Sequence, residues 1–199
     1  WRNRYTRDGA VRPALLSSSV FSQISPNRVR GYNGTEEVEY GEYPQYAPDS
    51  DMQRRLESEY QRGSLRTTGR DYTFDKTEFD DYEQPYQPVK YDEYEYNGRK
   101  YIRVQANSDY GHGSKFKLSN GEYYQDGNYV WVEVSPVVWL VDDRTKTLVS
   151  KRGLLAGIRF HTDRERYNGD FSTTEMKEYL DKYMLHDLMQ SVTYIHNNE

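Results

Sequence analysis

The 199-residue chain contains no cysteine. This absence excludes disulfide bonds, zinc sites with thiolate ligands, iron–sulfur clusters and cysteine nucleophiles. The chain also lacks a long apolar run, since the longest, Pro136–Val141, has the length of a strand rather than of a membrane-spanning helix. The sequence therefore predicts no membrane span.

Sequence motifs of catalysis are also missing: the chain has no phosphate-binding glycine loop, no nucleophile elbow and no calcium-binding helix–loop–helix spacing. Adjacent acidic residues such as Asp80-Asp81 and Asp142-Asp143 would point to opposite sides of a strand, so their spacing does not place them for acid–base chemistry. The four histidines do not stand at the spacing of a metal-binding pair. We therefore predict that the protein is not an enzyme and uses no metal or cofactor.

Charge is distributed unevenly, although the formal net charge is only -5. Residues 1–30 carry six Arg and one acidic residue, a net charge of +5, whereas residues 36–95 carry 17 acidic and 7 basic residues, a net charge of -10. We interpret residues 1–35 as a basic extended arm, whose first thirty residues can pair with the acidic middle of the same chain or of a neighbouring copy. The negative total argues against a nucleic-acid partner.

Residues 36–199 are predicted to form a single β-rich globular domain. Apolar residues are concentrated between 129 and 160, where alternation predicts adjacent antiparallel strands at 129–134, 137–141 and 147–149, with a break at Pro136. The pairs Asn97-Gly98 and Asn120-Gly121 predict two hairpin turns. The tyrosine-rich, acidic stretch 64–98 reads as the least regular part of the chain.

Two helices complete an α+β fold of mostly short antiparallel strands and long loops. A short helix is predicted near 51–62, capped by Ser50 and ended by Gly63. A C-terminal amphipathic helix is predicted near 173–191, capped by Ser172 or Thr173. Its spacing predicts one buried face, made of Met176, Tyr179, Leu180, Tyr183 and Met184.

Tyrosine is abundant, with 21 in the chain, and supplies contact area with a polar tip. The rings of residues 64–98 could form a binding surface, or they could hold a long loop on the sheet. For the first alternative, the candidate ligand-binding residues are Tyr82, Tyr86, Tyr91, Tyr94, Tyr110 and His112.

Four segments carry a likeness to a known family: Val38–Gln45, Glu93–Val104, Trp131–Asp142 and Gly169–Phe171. Together they resemble a bacterial domain family of unknown function, whose members occur in surface and repeat-containing proteins, over residues 36–190. Residues 9–15 are more loosely similar to the superfold of formylglycine-generating enzymes and C-type lectins. Because the formylglycine chemistry requires cysteine, this likeness implies a scaffold used for binding.

The sequence thus predicts a non-catalytic binding or structural domain, displayed on a cell surface or built into a larger assembly. The predicted partner is a protein or a glycan, or a second copy that pairs through residues 1–30 and the acidic middle. The composition favours an extracellular or surface-associated location. The alternatives are a carboxylate-dependent glycan hydrolase and a nucleic-acid-associated protein that uses the basic arm.

Overall fold

The computed structural model describes residues 15–16, 18–31, 33–75, 87–105, 115–125, 127–154 and 168–192. These residues form helices and antiparallel strands, with more residues in strands than in helices, which confirms an α+β fold that is mostly β. The strands are β1 (Leu15–Leu16), β2 (Val29–Arg30), β3 (Glu36–Tyr46), β4 (Arg66–Asp75), β5 (Pro88–Tyr96), β6 (Arg99–Gln105), β7 (Lys115–Lys117), β8 (Tyr123–Gln125), β9 (Tyr129–Asp142) and β10 (Thr147–Ser150).

The helices are fewer and shorter. They are α1 (Ser18–Ile24), followed by a 3₁₀ turn (Ser25–Asn27), α2 (Ser50–Gln61), a second 3₁₀ turn (Phe171–Thr173), α3 (Glu175–Tyr179), a π-helical turn (Leu180–Met184) and α4 (Leu185–Met189).

The chain divides into two compact units, each assembled from separated stretches. The first unit comprises Trp1–Tyr43, Pro136–Ala156 and Leu188–Glu199, and the second comprises Pro44–Ser135 and Gly157–Asp187. The arm at 1–35 and the single domain at 36–199 stay a prediction, since they were inferred from charge and composition. The reversal of charge near residue 35 changes the composition of the surface, whereas the units are defined by which segments pack together.

In the first unit, β1 pairs with β10, and β10 pairs with the C-terminal part of β9, both antiparallel. Helix α1 lies against β10 and buries Phe21 and Ile24. Arg28 binds Glu36 and Asp143, two carboxylates of the same unit. The described residues of the predicted arm are therefore folded into this unit, because apolar side chains and an ion pair attach them to it.

In the second unit, β4, β5, β6 and the N-terminal part of β9 follow one another as antiparallel neighbours. The turn between β5 and β6 confirms the prediction at Asn97-Gly98, since both residues have positive φ, 51° and 75°, as a type I′ turn requires. Asn120-Gly121 likewise joins β7 to β8, which form a separate two-stranded sheet.

Much of the stretch that the sequence marked as least regular is strand. Strands β4 and β5 lie within residues 64–98 and pair along their length, with a shift of register between Thr67 and Asp71. The strands are also longer than predicted, since β3, β4 and β9 contain 11, 10 and 14 residues. Strand β4 was not predicted because most of its residues are polar, although its Tyr72 and Thr73 are buried.

The predicted break at Pro136 is wrong, because β9 is continuous from residue 129 to residue 142. The proline lies beyond Val134, the last residue paired with β6, and before Trp139, the first paired with β10. Its missing N–H therefore removes no hydrogen bond to either of these strands.

Both predicted helices are present, with different caps. Asp49 caps α2 by accepting a hydrogen bond from the Met52 amide at 2.8 Å, so Ser50 is the first helical residue rather than the cap. Thr174 caps α3 by accepting from the Lys177 amide at 3.1 Å, because Ser172 and Thr173 belong to the preceding 3₁₀ turn.

Candidate functional site

Helix α2 is fixed to strand β9 by a glutamine that binds the backbone of one strand residue twice. Gln53 Oε1 accepts from the Trp131 amide at 2.8 Å, and Gln53 Nε2 donates to the Trp131 carbonyl at 2.7 Å. Both backbone groups of the buried Trp131 are thereby satisfied. This attachment sets the register between the helix and the strand.

An aromatic core fills the space beneath the helix. Leu56, Tyr101 and Trp131 are almost fully buried there, and further side chains pack against them: Met52, Tyr60, Leu65, Tyr94 and Tyr96. The rings of Tyr60, Tyr94 and Trp131 meet edge to face, with centroids 5.7–5.8 Å apart. Such geometry places the positive edge of one ring on the negative face of another.

Glu57 lies at the rim of this core and accepts four hydrogen bonds. Arg103 donates to both of its oxygens, from Nε at 2.8 Å and from Nη2 at 2.9 Å. Trp131 Nε1 donates to Oε2 at 3.0 Å, and Gln61 Nε2 donates to Oε1 at 2.9 Å. The hydrogen bonds, led by those from Arg103, lower the pKa of Glu57 to about 2.

Arg103 also contacts two tyrosine rings. Its guanidinium carbon lies 4.7 Å from the centre of the Tyr60 ring and 3.9 Å from the centre of the Tyr129 ring. Both distances are within the range of a cation–π interaction. We call Tyr60, Arg103 and Tyr129 the Arg103 stack. Its outer member, Tyr129, is 48% exposed.

Two of the predicted ligand-binding residues lie in the described part of the chain. The Tyr94 ring packs on Tyr60 and Trp131, next to the Arg103 stack. The Tyr91 ring contacts Phe74, with centroids 6.0 Å apart. Burial raises the pKa of both tyrosines. Electrostatic interactions raise the same pKa values further, of Tyr91 through Tyr129 and of Tyr94 through Tyr60, so both tyrosines interact with members of the Arg103 stack.

The other predicted residues, Tyr82, Tyr86, Tyr110 and His112, lie outside the described residues. Sequence reasoning missed Glu57 and Arg103 as a pair, because they are 46 positions apart and no local spacing connects them. The sequence does place the Glu57 carboxylate on a predicted helix, beside the apolar residues Met52, Leu56 and Tyr60. That position does not indicate which residue binds the carboxylate.

Two buried carboxyl groups accept hydrogen bonds from strand β4. Glu93 is fully buried and accepts from Thr68 Oγ1 at 2.7 Å and from the Tyr72 hydroxyl at 2.9 Å. Thr68 lies where the register of β4 shifts. These bonds attach both sides of the irregular segment to β5, so we assign Glu93 a structural role.

Asp187 binds the backbone of the same strand. It is 2% exposed and accepts from the Thr73 amide at 2.7 Å, while the Tyr179 hydroxyl donates to the Thr73 carbonyl at 2.8 Å. Burial raises the pKa of Asp187 above its ordinary value. The two helical side chains bind both backbone groups of Thr73, and so they cover this part of the strand edge.

Within the described ranges, no cluster of three or more His, Asp or Glu side chains is arranged to hold a metal ion. Over the same residues, no helix is long and apolar enough to cross a membrane.

Comparison with known proteins gives no match: no protein-family model fits the sequence, and neither the curated proteins nor the solved structures contain a significantly similar chain. The resemblance to a bacterial domain family therefore stays a prediction.

Proposed function

We propose that the protein is a non-catalytic binding domain that contacts its partner through the Arg103 stack. The observation that carries this proposal is the fixed position of Arg103, which makes a bidentate contact with Glu57 and lies over the rings of Tyr60 and Tyr129. A side chain that is ordered before binding loses little conformational entropy when a partner arrives. Tyrosine and arginine, together with tryptophan, are also enriched among the residues that dominate binding energy.

The state of Glu57 supports binding over hydrolysis at this site. A general acid or base works best when its pKa is near the operating pH. The pKa of Glu57 is about 2, and its two oxygens already accept four hydrogen bonds. This carboxylate is suited to holding Arg103, and it is poorly suited to moving a proton.

The wider setting predicted from the sequence belongs to the same proposal: a domain displayed on a surface or built into an assembly. One contact bears on self-association through residues 1–30. Because Arg28 binds Glu36 and Asp143 of its own unit, this arginine favours pairing within the chain.

The proposal is tested by screening the full chain on a glycan array and against a displayed protein library, and then repeating each hit with two variants. Tyr129→Ala should weaken binding by about tenfold or more, because it removes the exposed ring of the stack. Tyr123→Ala is the matched control, since Tyr123 is also exposed, at 68%, and also has a cation near its ring, Lys117 at 6.0 Å.

The control variant should bind as well as the natural chain, because Tyr123 lies on the separate β7–β8 sheet. Hits that respond equally to both variants, or a screen without any hit that depends on Tyr129, would contradict the proposal.

A further inference from the structure

The exposed ring of Tyr129 is held in a defined orientation. Arg103 lies over one of its faces at 3.9 Å, so a planar ligand can stack only on the opposite face. The residue as a whole is 48% exposed. The backbone of Tyr129 is paired with Gln105 of β6, which fixes the base of the side chain. A planar aromatic face is therefore presented on a strand that is paired at this residue.

The charged side chains near this ring are paired with side chains of opposite charge. The positive charge of Arg103 is matched by the bidentate contact with Glu57. On the neighbouring part of the same strands, Arg99 lies 3.5 Å from Glu133. An anionic ligand would find no net positive charge among these residues, so the site favours an uncharged partner.

Hydrogen-bonding capacity remains at the edge of the stack. Arg103 uses Nε and Nη2 for Glu57, and no acceptor in the described part of the chain binds its Nη1. The hydroxyl of Tyr129 can both donate and accept. A partner rich in hydroxyl groups, which also donate and accept, matches this combination.

The apolar surface is too small for a large protein interface. Tyr129 is the only exposed large apolar side chain that the described residues of β5, β6 and β9 provide. A stable protein–protein interface covers about 800 Å² on each partner and contains a cluster of anchoring side chains. A single exposed ring fits a small ligand unit better.

We propose that the Arg103 stack binds an uncharged saccharide. The C–H face of one sugar ring lies on the free face of Tyr129, where weakly positive C–H groups meet the negative face of the aromatic ring. Sugar hydroxyls bind Arg103 Nη1 and the Tyr129 hydroxyl. This inference rests on the proposed binding function and names its ligand class.

The test is isothermal titration of the full chain with neutral hexasaccharides of glucose, xylose and N-acetylglucosamine, and with hexagalacturonate as the anionic comparison. At least one neutral saccharide should bind. Its affinity should fall by about tenfold or more in Tyr129→Ala and stay unchanged in Tyr123→Ala. The affinity should also change little with added NaCl, because no net charge is screened.

Tyr129→Phe removes the hydroxyl and keeps the ring, and it should therefore lose less affinity than Tyr129→Ala. Equal losses in the two variants, with both folded by thermal melting, would overturn the stacking geometry. Binding of hexagalacturonate alone, with an affinity that falls steeply with salt, would overturn the ligand class.

The two proposals fail separately. If no saccharide binds but the library screen yields a protein that requires Tyr129, the saccharide inference is wrong and the binding function stands. If no partner of any kind depends on Tyr129, both are wrong.

Discussion

Glu57 and Arg103 show how neighbours decide the role of a charged side chain. Three segments meet at the Glu57 carboxylate: helix α2 through Gln61, strand β6 through Arg103 and strand β9 through Trp131. Because hydrogen bonds to a charged group are stronger than those between neutral groups, the ionised form is strongly favoured. The carboxylate therefore links α2, β6 and β9 through hydrogen bonds.

Replacing Glu57 with Gln tests this role. Gln keeps the shape but turns one acceptor oxygen into a donor that faces other donors, so we expect the free energy of unfolding at neutral pH to fall by about 1–3 kcal/mol. The pKa of Glu57 is lowered in the folded state, from 4.5 to about 2. Its contribution is therefore present above pH 4.5 and is lost as the pH falls toward 2, so the difference between the natural chain and the variant should shrink over that range.

Urea unfolding as a function of pH measures this difference. The matched control is Glu59→Gln on the same helix, where Glu59 pairs with the exposed Arg62. We expect that control to change stability by less than about 0.5 kcal/mol at neutral pH. A constant difference between Glu57→Gln and the natural chain from neutral pH to pH 2 would contradict the assignment.

Gly41 is required for two physical reasons, and a second glycine separates them. Gly41 and Gly63 both have a φ of +71°, which disfavours any side chain. A Cβ on Gly41 would also lie 2.6 Å from the Leu188 carbonyl oxygen, whereas a Cβ on Gly63 would meet nothing within 4 Å. Gly63→Ala should therefore lower the free energy of unfolding by about 1–2 kcal/mol, and Gly41→Ala should lower it by more than that. Denaturant unfolding measures both values. If the two variants lost the same free energy of unfolding, the close approach to Leu188 would not affect stability.

At the scale of elements, helices are attached to strands by side chains that bind backbone groups. Gln53 of α2 binds the amide and the carbonyl of Trp131, and Asp187 and Tyr179 do the same for Thr73. In each case a polar side chain takes the place of a neighbouring strand. Buried backbone groups are satisfied in this way where no further strand pairs.

The C-terminal helix shows what a π turn does to a buried face. The predicted face follows a spacing of three and four residues, but the fully buried apolar residues are Tyr179, Met184 and Leu188, at spacings of five and four. The turn at residues 180–184 adds one residue, so Leu180 and Tyr183 are only half-buried and Asp187 faces inward.

Alanine substitutions in this helix should follow the observed face. Met184→Ala should lower the free energy of unfolding by about 2–5 kcal/mol, because it empties a buried position. Leu180→Ala should cost about 1 kcal/mol, as expected for a half-buried position. Thermal or urea unfolding gives the order directly, and a larger loss for Leu180→Ala would mean that the helix packs with a regular α-helical face.

These elements also show which features a sequence can reveal. The turn at Asn97-Gly98 and the end of α2 at Gly63 were predictable, because both depend on the backbone freedom of local residues. The π turn and strand β4 were not, because contacts made elsewhere stabilise them. Thr73 is bound by Asp187, which lies 114 positions away.

At the scale of the whole molecule, each unit collects residues that are distant in the chain. The first joins the N-terminal 43 residues to Pro136–Ala156, and the second includes α2, β6 and the N-terminal part of β9. The α+β class could be predicted from alternation and caps. The Arg103 stack could not, since Tyr60, Arg103 and Tyr129 come from three elements and meet only in the folded second unit.

The central claim, that partners bind at the Arg103 stack, can be tested with the side-chain N–H signals of tryptophan and arginine. Trp131 Nε1 donates to Glu57, beside the stack, whereas Trp139 Nε1 donates to the Tyr40 carbonyl in the first unit at 2.8 Å. These two indole groups therefore report on different places, and Trp→Phe variants assign their signals.

The measurement is a heteronuclear NMR titration of the ¹⁵N-labelled chain with the neutral hexasaccharides and with any protein found in the screen. We predict that the signals of Trp131 Nε1 and Arg103 Nε shift progressively until saturation, while the Trp139 Nε1 signal stays in place. A bound partner that moves the Trp139 signal and leaves those of Trp131 and Arg103 unchanged would contradict the account.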